Sequence, residues 1–188
     1  MAAASVAGAG EEVVTGADGT VGAVPAGDHH NEPQLPATAG GVDVARVPPA
    51  ETYDLRGRVL RPGAPADRVR FEVDDLPATA AFAARDADGT VVGTAIVYPE
   101  PCPWAPARPG AWRLRGMATA EDRRGAGVGA RVLDAVLAHV TAAGGSIVWC
   151  NARVPARPFY ERAGFATHGD EWVDPEIGPH VAMWRDVA

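Results

Sequence analysis

The spacing of apolar residues along the chain changes period several times, and each change marks an element. From Val128 to Ala143, the residues Val128, Val132, Leu133, Val136, Leu137 and Val140 recur every three or four positions. That is a helix with one apolar stripe, and Gly144-Gly145 stops it. Ala111 to Thr119 instead alternates, with Trp112 and Leu114 on one side, as a strand does; Gly116 inside it marks a bulge or a close backbone approach. Thr79 to Arg85 and Thr90 to Tyr98 read as two further strands joined through Asp86-Ala87-Asp88-Gly89, a hairpin signal. Thr52 to Leu60 places Leu55, Val59 and Leu60 on one helical face that Arg61-Pro62-Gly63 ends, and the acidic Glu72-Val73-Asp74-Asp75 reads as a loop. Beyond the long helix, Ser146 to Cys150 reads as a short buried strand and Pro155 to Ala163 as a short helix stopped by Gly164. Phe165 to Trp172 and His180 to Asp186 read as closing strands. The prolines at 99, 101, 103, 106 and 109 force an irregular excursion that carries Trp104 and is either disposable or a lid. The result is a mixed α/β chain whose ligand belongs beside the ends of two central strands.

Residues 1–42 behave differently. They are rich in Ala, Gly, Pro and Val, contain no aromatic residue and hold no sustained period, so they read as a flexible low-complexity extension ahead of a domain at 43–188. His29 and His30 lie there without a partner at metal-ligand spacing and read as solvated surface. The charge is skewed in the same way: of a net −7, residues 1–45 supply six acids and no arginine, and the remainder balances 18 acids against 17 arginines. Neither part offers the basic face that a nucleic acid would need. The chain has no lysine, which removes Schiff-base chemistry. Cys102 and Cys150 form no Cys-x-x-Cys pair, so no metal is expected and a reducing cytoplasm is the default. No basic residue precedes Arg46 and no apolar run reaches the ~18 residues a span needs, so neither a secretory signal nor a membrane partner is expected.

The chemistry lies between the central strand and the long helix, in Arg123-Arg124-Gly125-Ala126-Gly127-Val128-Gly129-Ala130. Glycines let backbone N–H groups turn inward, and the helix that follows adds partial positive charge, so the loop is built for an anion such as a diphosphate. A Walker loop is excluded, because it requires lysine. A dinucleotide fingerprint is matched by Gly125, Gly127 and Ala130. It should be followed by an acidic residue closing the next strand, where this chain has Trp149-Cys150-Asn151.

The spacing Arg124-Gly125-Ala126-Gly127-Val128-Gly129 fits a third pattern, Gln/Arg-x-x-Gly-x-Gly/Ala, and resembles the acyl-CoA pyrophosphate loop of the GNAT superfamily of N-acetyltransferases. About 30 residues on, Pro155-Ala156-Arg157-Pro158-Phe159-Tyr160-Glu161-Arg162-Ala163-Gly164-Phe165 resembles that superfamily's second signature, Ala-x-x-Phe-Tyr-Glu-x-x-Gly-Phe. The ending Gly178-Pro179-His180-Val181-Ala182-Met183 is similar to one acyltransferase subgroup within it. The resemblance spans residues 45–188 and implies an α/β (α+β) fold: a mixed, mostly antiparallel sheet flanked by helices, with splayed central strands. It implies direct transfer of an acetyl group from acetyl-CoA, in a ternary complex, to a small-molecule or peptide amine, with a homodimer left open. By the same resemblance Met117 and Thr119 pair with pantetheine amides. The N–H groups of Arg124, Gly125, Ala126, Gly127, Val128, Gly129 and Ala130 hold the pyrophosphate, and Tyr160 is the general acid.

Two departures stand out. Glu121 replaces a common proline, and Arg153 occupies a place often held by asparagine, leaving either Arg153 or Asn151 to contact CoA. The strand before the loop carries no acid, so Glu72, Asp74, Asp75, Asp174, Glu176 and His180 are the candidates for a base. Two other functions compete: a non-catalytic acyl-CoA sensor or accessory subunit, and a nicotinamide-dinucleotide-binding protein. Because residues 1–42 offer few large apolar groups to offset ordering entropy, a chain beginning at Val42 is expected to melt at nearly the full-length temperature in a calorimetric scan. A drop of many degrees would mean that the extension docks on the domain or crosses a dimer interface.

Overall fold

The computed structural model describes residues 41–65 and 68–187. The reading of residues 1–42 as an extension, and of His29 and His30 as surface, therefore lies almost wholly outside the described residues. Seven strands form one sheet: β1 (Asp43–Val47), β2 (Ala80–Arg85), β3 (Val91–Pro99), β4 (Ala111–Thr119), β5 (Ile147–Arg153), β6 (Ala166–Asp174) and β7 (Gly178–Asp186). Their order across the sheet is β1-β2-β3-β4-β5-β7-β6. Three helices accompany them, α1 (Tyr53–Leu60), α2 (Val128–Ala142) and α3 (Arg157–Arg162). The fold is thus the expected one, a mixed α/β sheet, mostly antiparallel and flanked by helices.

The β2–β3 hairpin turns where the sequence placed it. Asp86 takes the N–H groups of Asp88 and Thr90 on its own carboxylate, which fixes the turn that Gly89 completes at φ +79°. Helix α2 lies on the sheet through its apolar stripe, and Val128, Val132, Leu133, Val136 and Val140 are all buried. Gly93 of β3 lets it approach, since a Cβ there would come within 2.7 Å of Val128 and 3.1 Å of Val132.

Five elements depart from expectation or add to it. β1 was not anticipated: it is a short edge strand with three of its five residues exposed, too brief for an alternating pattern to be read. Glu72–Asp75 is a 3-10 turn rather than a loop, closed by Phe71 N–H donating to the Asp74 carboxylate at 2.9 Å. β5 runs three residues past Cys150, and the helix after it shortens to α3 behind a 3-10 turn at Val154–Ala156. The proline-rich excursion packs against the domain. It buries Cys102 and lays Trp104 against Trp149 and, stacked at 4.4 Å, on His168.

Candidate active site

β4 and β5 are the sheet's single parallel neighbours among the described residues, and they pair at only three positions: Ala111 with Ile147, Trp112 with Val148 and Arg113 with Trp149. Past Arg113 and Trp149 they part, leaving a gap through the centre of the sheet. On its other edge β4 also slips register against β3: Ala118 faces Thr94 but Arg115 faces Ile96, so two residues, Gly116 and Met117, oppose one. That is the bulge anticipated at Gly116, whose φ of +60° a residue with a Cβ rarely adopts. The Arg56 guanidinium of α1 fills the space above it, with Nε 3.0 Å from where a Cβ would stand.

The gap opens into a cleft of about 320 Å³ that collects residues of the second signature, Ala156 and Tyr160, and of the two parted strands. Met117 of β4, Cys150 and Asn151 of β5, Tyr160 of α3 and His180 of β7 all line it. A larger depression of about 690 Å³ lies between Asp134 and Arg185 and contains none of the sequence-predicted site residues.

Beyond the far end of β4 lies the glycine loop. Gly125 and Gly127 both adopt φ +80°, with no atom within 4 Å of an added Cβ, and Gly127 caps α2 in the left-handed conformation. The loop is folded by Arg123 N–H donating to Ala120 C=O, Arg124 to Glu121, Ala126 to Arg123 and Arg131 to Gly127. Among the described residues no backbone acceptor takes the N–H of Gly125, Gly127, Val128, Gly129 or Ala130, which leaves five donors at a helix N-terminus with open space at Gly125 and Gly127. The groups present therefore fit a diphosphate. A larger side chain at Gly127 would not collide with the protein; its cost is backbone strain and intrusion into that space. At Gly129 the constraint is contact, since a Cβ would stand 3.2 Å from Thr119 Oγ1 and 3.4 Å from Phe159, which ties α2 to the end of β4 and to α3. Arg124 is the loop's loosely held cation, half exposed and 3.9 Å from Glu121, whereas Arg123 is engaged by Asp86 at 3.2 Å.

Tyr160 is buried between Phe159 and Phe165, its hydroxyl beside the Cys150 thiol. Burial pushes the tyrosine well above its usual ionisation range, with the neighbouring Cys150 adding to the effect, and pushes the thiol from 9.0 up to about 12. Arg153 donates to Leu60 C=O at 2.8 Å and so is committed to the end of α1, while Asn151 is exposed to the cleft. Of the six base candidates, Asp74 is buried and ion-paired to Arg56 at 2.8 Å, and Glu176 pairs with Arg68 at 2.7 Å. Asp174 accepts the N–H groups of Glu176 and Ile177, and Asp75 is taken by Arg70. Glu72 is exposed on the 3-10 turn and does not line the cleft. His180 differs from all of these: it is 4% exposed, lines the cleft, and holds Gly178 C=O at 2.7 Å through Nδ1. A carbonyl can only accept, so Nδ1 carries a proton, and in the matching neutral tautomer the lone pair lies on Nε2.

The residues that sequence reasoning missed are Arg56, Arg61 and Arg68. Leu55 and Val59 gave the helix its apolar face, but nothing local announces that Arg56 is 1% exposed and paired with a residue 18 positions away.

The chain matches the family model of the acetyltransferase (GNAT) family over residues 51–165, more than half its length, and it belongs to that family of acetyl-CoA-dependent acyltransferases. It is similar to YitI, an uncharacterised N-acetyltransferase of Bacillus subtilis, with 28% identity over 144 residues that cover 77% of this chain and 95% of the relative. Among solved structures, one from Corynebacterium glutamicum, described as a histone acetyltransferase HPA2 and related acetyltransferase, aligns with TM-score 0.61 and 22% identity. That alignment covers 77% of this chain and 95% of the other. An aminoglycoside 6'-N-acetyltransferase in complex with coenzyme A aligns with TM-score 0.62 and 16% identity over 78% and 97% of the two chains. The dinucleotide reading is accordingly set aside: a Rossmann sheet is mostly parallel, and this one has a single parallel pair among the described residues.

Cys150 and Tyr160 stay protonated in the folded protein at pH values where the unfolded chain has begun to release those protons. The stability this gives is complete below about pH 9 and is lost as pH rises through about 12. Melting temperature is expected to fall over that interval, and Cys150→Ala to make the fall shallower.

Proposed function

We propose that the chain transfers an acetyl group from acetyl-CoA directly to the amine of an acceptor bound in the same cleft. The observation that supports this best is the cleft opened where β4 and β5 part, which brings Met117, Asn151 and Tyr160 to one space, while the glycine loop follows the end of β4 in the chain.

The N–H groups from Gly125 to Ala130, with Arg124 beside them, would hold the pyrophosphate, and the backbone at Met117 and Thr119 the pantetheine amides. Asn151, not the committed Arg153, is the polar side chain of β5 left to reach them. The thioester supplies an activated carbonyl; the amine attacks it, the C–N bond forms and the C–S bond breaks. Tyr160, kept protonated by its burial, donates a hydrogen bond to the leaving sulfur and stabilises its developing charge. An alkylamine of pKa ~10 is only about one part in a thousand neutral at pH 7, so a proton has to leave before attack. His180 Nε2 is the acceptor that the cleft offers for it. Holding both reactants in one gap supplies much of the remaining rate.

A thiol-release assay of the purified protein with acetyl-CoA and a panel of amines tests the reading. A thiol of pKa ~8.5 leaves fairly well unaided, so Tyr160→Phe should be slow rather than inactive, with kcat reduced at least ~10-fold and acetyl-CoA affinity nearly unchanged. Arg124→Ala removes charge-assisted bonds of roughly 1.5–3 kcal/mol and should weaken acetyl-CoA binding about tenfold or more by calorimetry. Full kcat in Tyr160→Phe together with a lower melting temperature would make the tyrosine a packing residue.

A further inference from the structure

The cleft contradicts the charge of the chain that forms it. The protein carries a net charge of −7, yet Arg56, Arg61, Arg68, Arg113, Arg115 and Arg153 all line the cleft, with Asp174 as the lining carboxylate. Some of this charge is answered nearby: Arg68 by Glu176, Arg113 by Glu100 at 3.0 Å, and Arg56 by Asp74. Arg115 is not. It makes no ion pair among the described residues; its guanidinium carbon lies 4.2 Å over the Phe71 ring, beside the Tyr98 hydroxyl. Stacking and a neutral hydrogen bond orient the group without neutralising it.

Behind it, Arg56 is buried to 1% exposure with Nε and Nη2 unpartnered, and Arg113 Nε is likewise buried without a partner. Buried donors in that state are costly, and a cluster of guanidiniums with spare N–H groups is chemistry suited to a carboxylate or phosphate. This cannot be the pyrophosphate cradle. Arg115 precedes Thr119 by four residues on an extended strand, about 13 Å at roughly 3.3 Å per residue, and the glycine loop lies further still.

We infer that the acceptor carries an anionic group, a carboxylate or a phosphate, in addition to its amine, and that Arg115, backed by Arg113 and Arg56, holds that group. The inference rests on the acetyl-transfer reading and specifies its substrate class. The same positive field favours the neutral form of an amine placed nearby, which is the form that attacks, and it repels a polycation. An amine with several positive charges, the kind of acceptor named for the aminoglycoside-acetylating structural relative, is therefore the wrong class for this cleft.

Two measurements on the full chain test this. In the first, inorganic phosphate and acetate are titrated calorimetrically into protein saturated with CoA, so that the glycine loop is already filled. Saturable binding of at least one anion is expected, weakened about tenfold in Arg115→Gln and largely retained in Arg115→Lys. Neither variant should melt more than a few degrees from the parent. In the second, thiol release is compared for matched acceptors: phosphoethanolamine against ethanolamine, β-alanine against propylamine, and kanamycin as the polycation. The anionic member of at least one pair should show the higher kcat/KM by tenfold or more, and Arg115→Gln should erase that preference mainly through KM. Anion binding that is absent or indifferent to Arg115, or a preference for the neutral amines or kanamycin, overturns the subsite. If no acceptor turns over, the anion titration decides. Acetyl-CoA titrated alone reports on the reading beneath: no binding there sinks acetyl transfer and the subsite with it, whereas retained binding without anion selectivity sinks the subsite alone.

Discussion

A buried strand cannot simply stop pairing, because each backbone N–H and C=O it leaves without a partner costs free energy comparable to a lost hydrogen bond. β4 and β5 do stop, after three pairs, in the middle of a seven-stranded sheet. The rest of the molecule is arranged around that interruption. α2 packs its apolar stripe across the neighbouring strands and so brings its N-terminus to the end of β4. β7 pairs with the outer edge of β5 over seven positions, which keeps β5 ordered although its inner edge is free. A ligand with amides of its own can complete the edge that the protein leaves open, and a pantetheine arm is such a ligand.

What could be read in the sequence was whatever a local pattern encodes. The α2 stripe, the Asp86–Gly89 turn and the glycine loop each place their chemistry within a few residues, and each appears where the pattern put it. Gly116 was legible as a bulge because a lone glycine in a strand has few other reasons to be there. β1 was not, since five edge residues carry almost no alternation to detect. Nor were Arg56 and Asp74, whose meeting depends on how α1 and a 3-10 turn come together above β4. The electropositive cleft is invisible for the same reason. Its six arginines come from α1, the segment after it, β4 and β5, and only the fold turns them toward one space.

The candidate bases show the two sources of information combining. Six acidic or imidazole residues were chemically admissible, and the structure separates them by what each is already doing. Four carboxylates are already held by arginine or by turn N–H groups and Glu72 lies outside the cleft, whereas the Gly178 carbonyl takes Nδ1 of His180 and leaves Nε2 on the far side of the ring. A hydrogen bond two residues along the chain thus sets the chemical character of the atom on the far side of the ring.

Helix α1 touches both lips of the interruption. Arg56 presses its guanidinium onto Gly116 of β4, and Arg153 of β5 reaches back to the carbonyl of Leu60 at the helix end. Two strands that no longer bond to each other are therefore strutted through a third element, and the spacing of the gap is set by an eight-residue helix instead of by whatever enters it. An incoming molecule meets strands that are already parted, so little of its binding free energy is consumed in prying the sheet apart. The same strut makes the aperture adjustable from a distance: lengthening or shortening either arginine's reach would change the fit of the slot without altering any residue that touches the thioester.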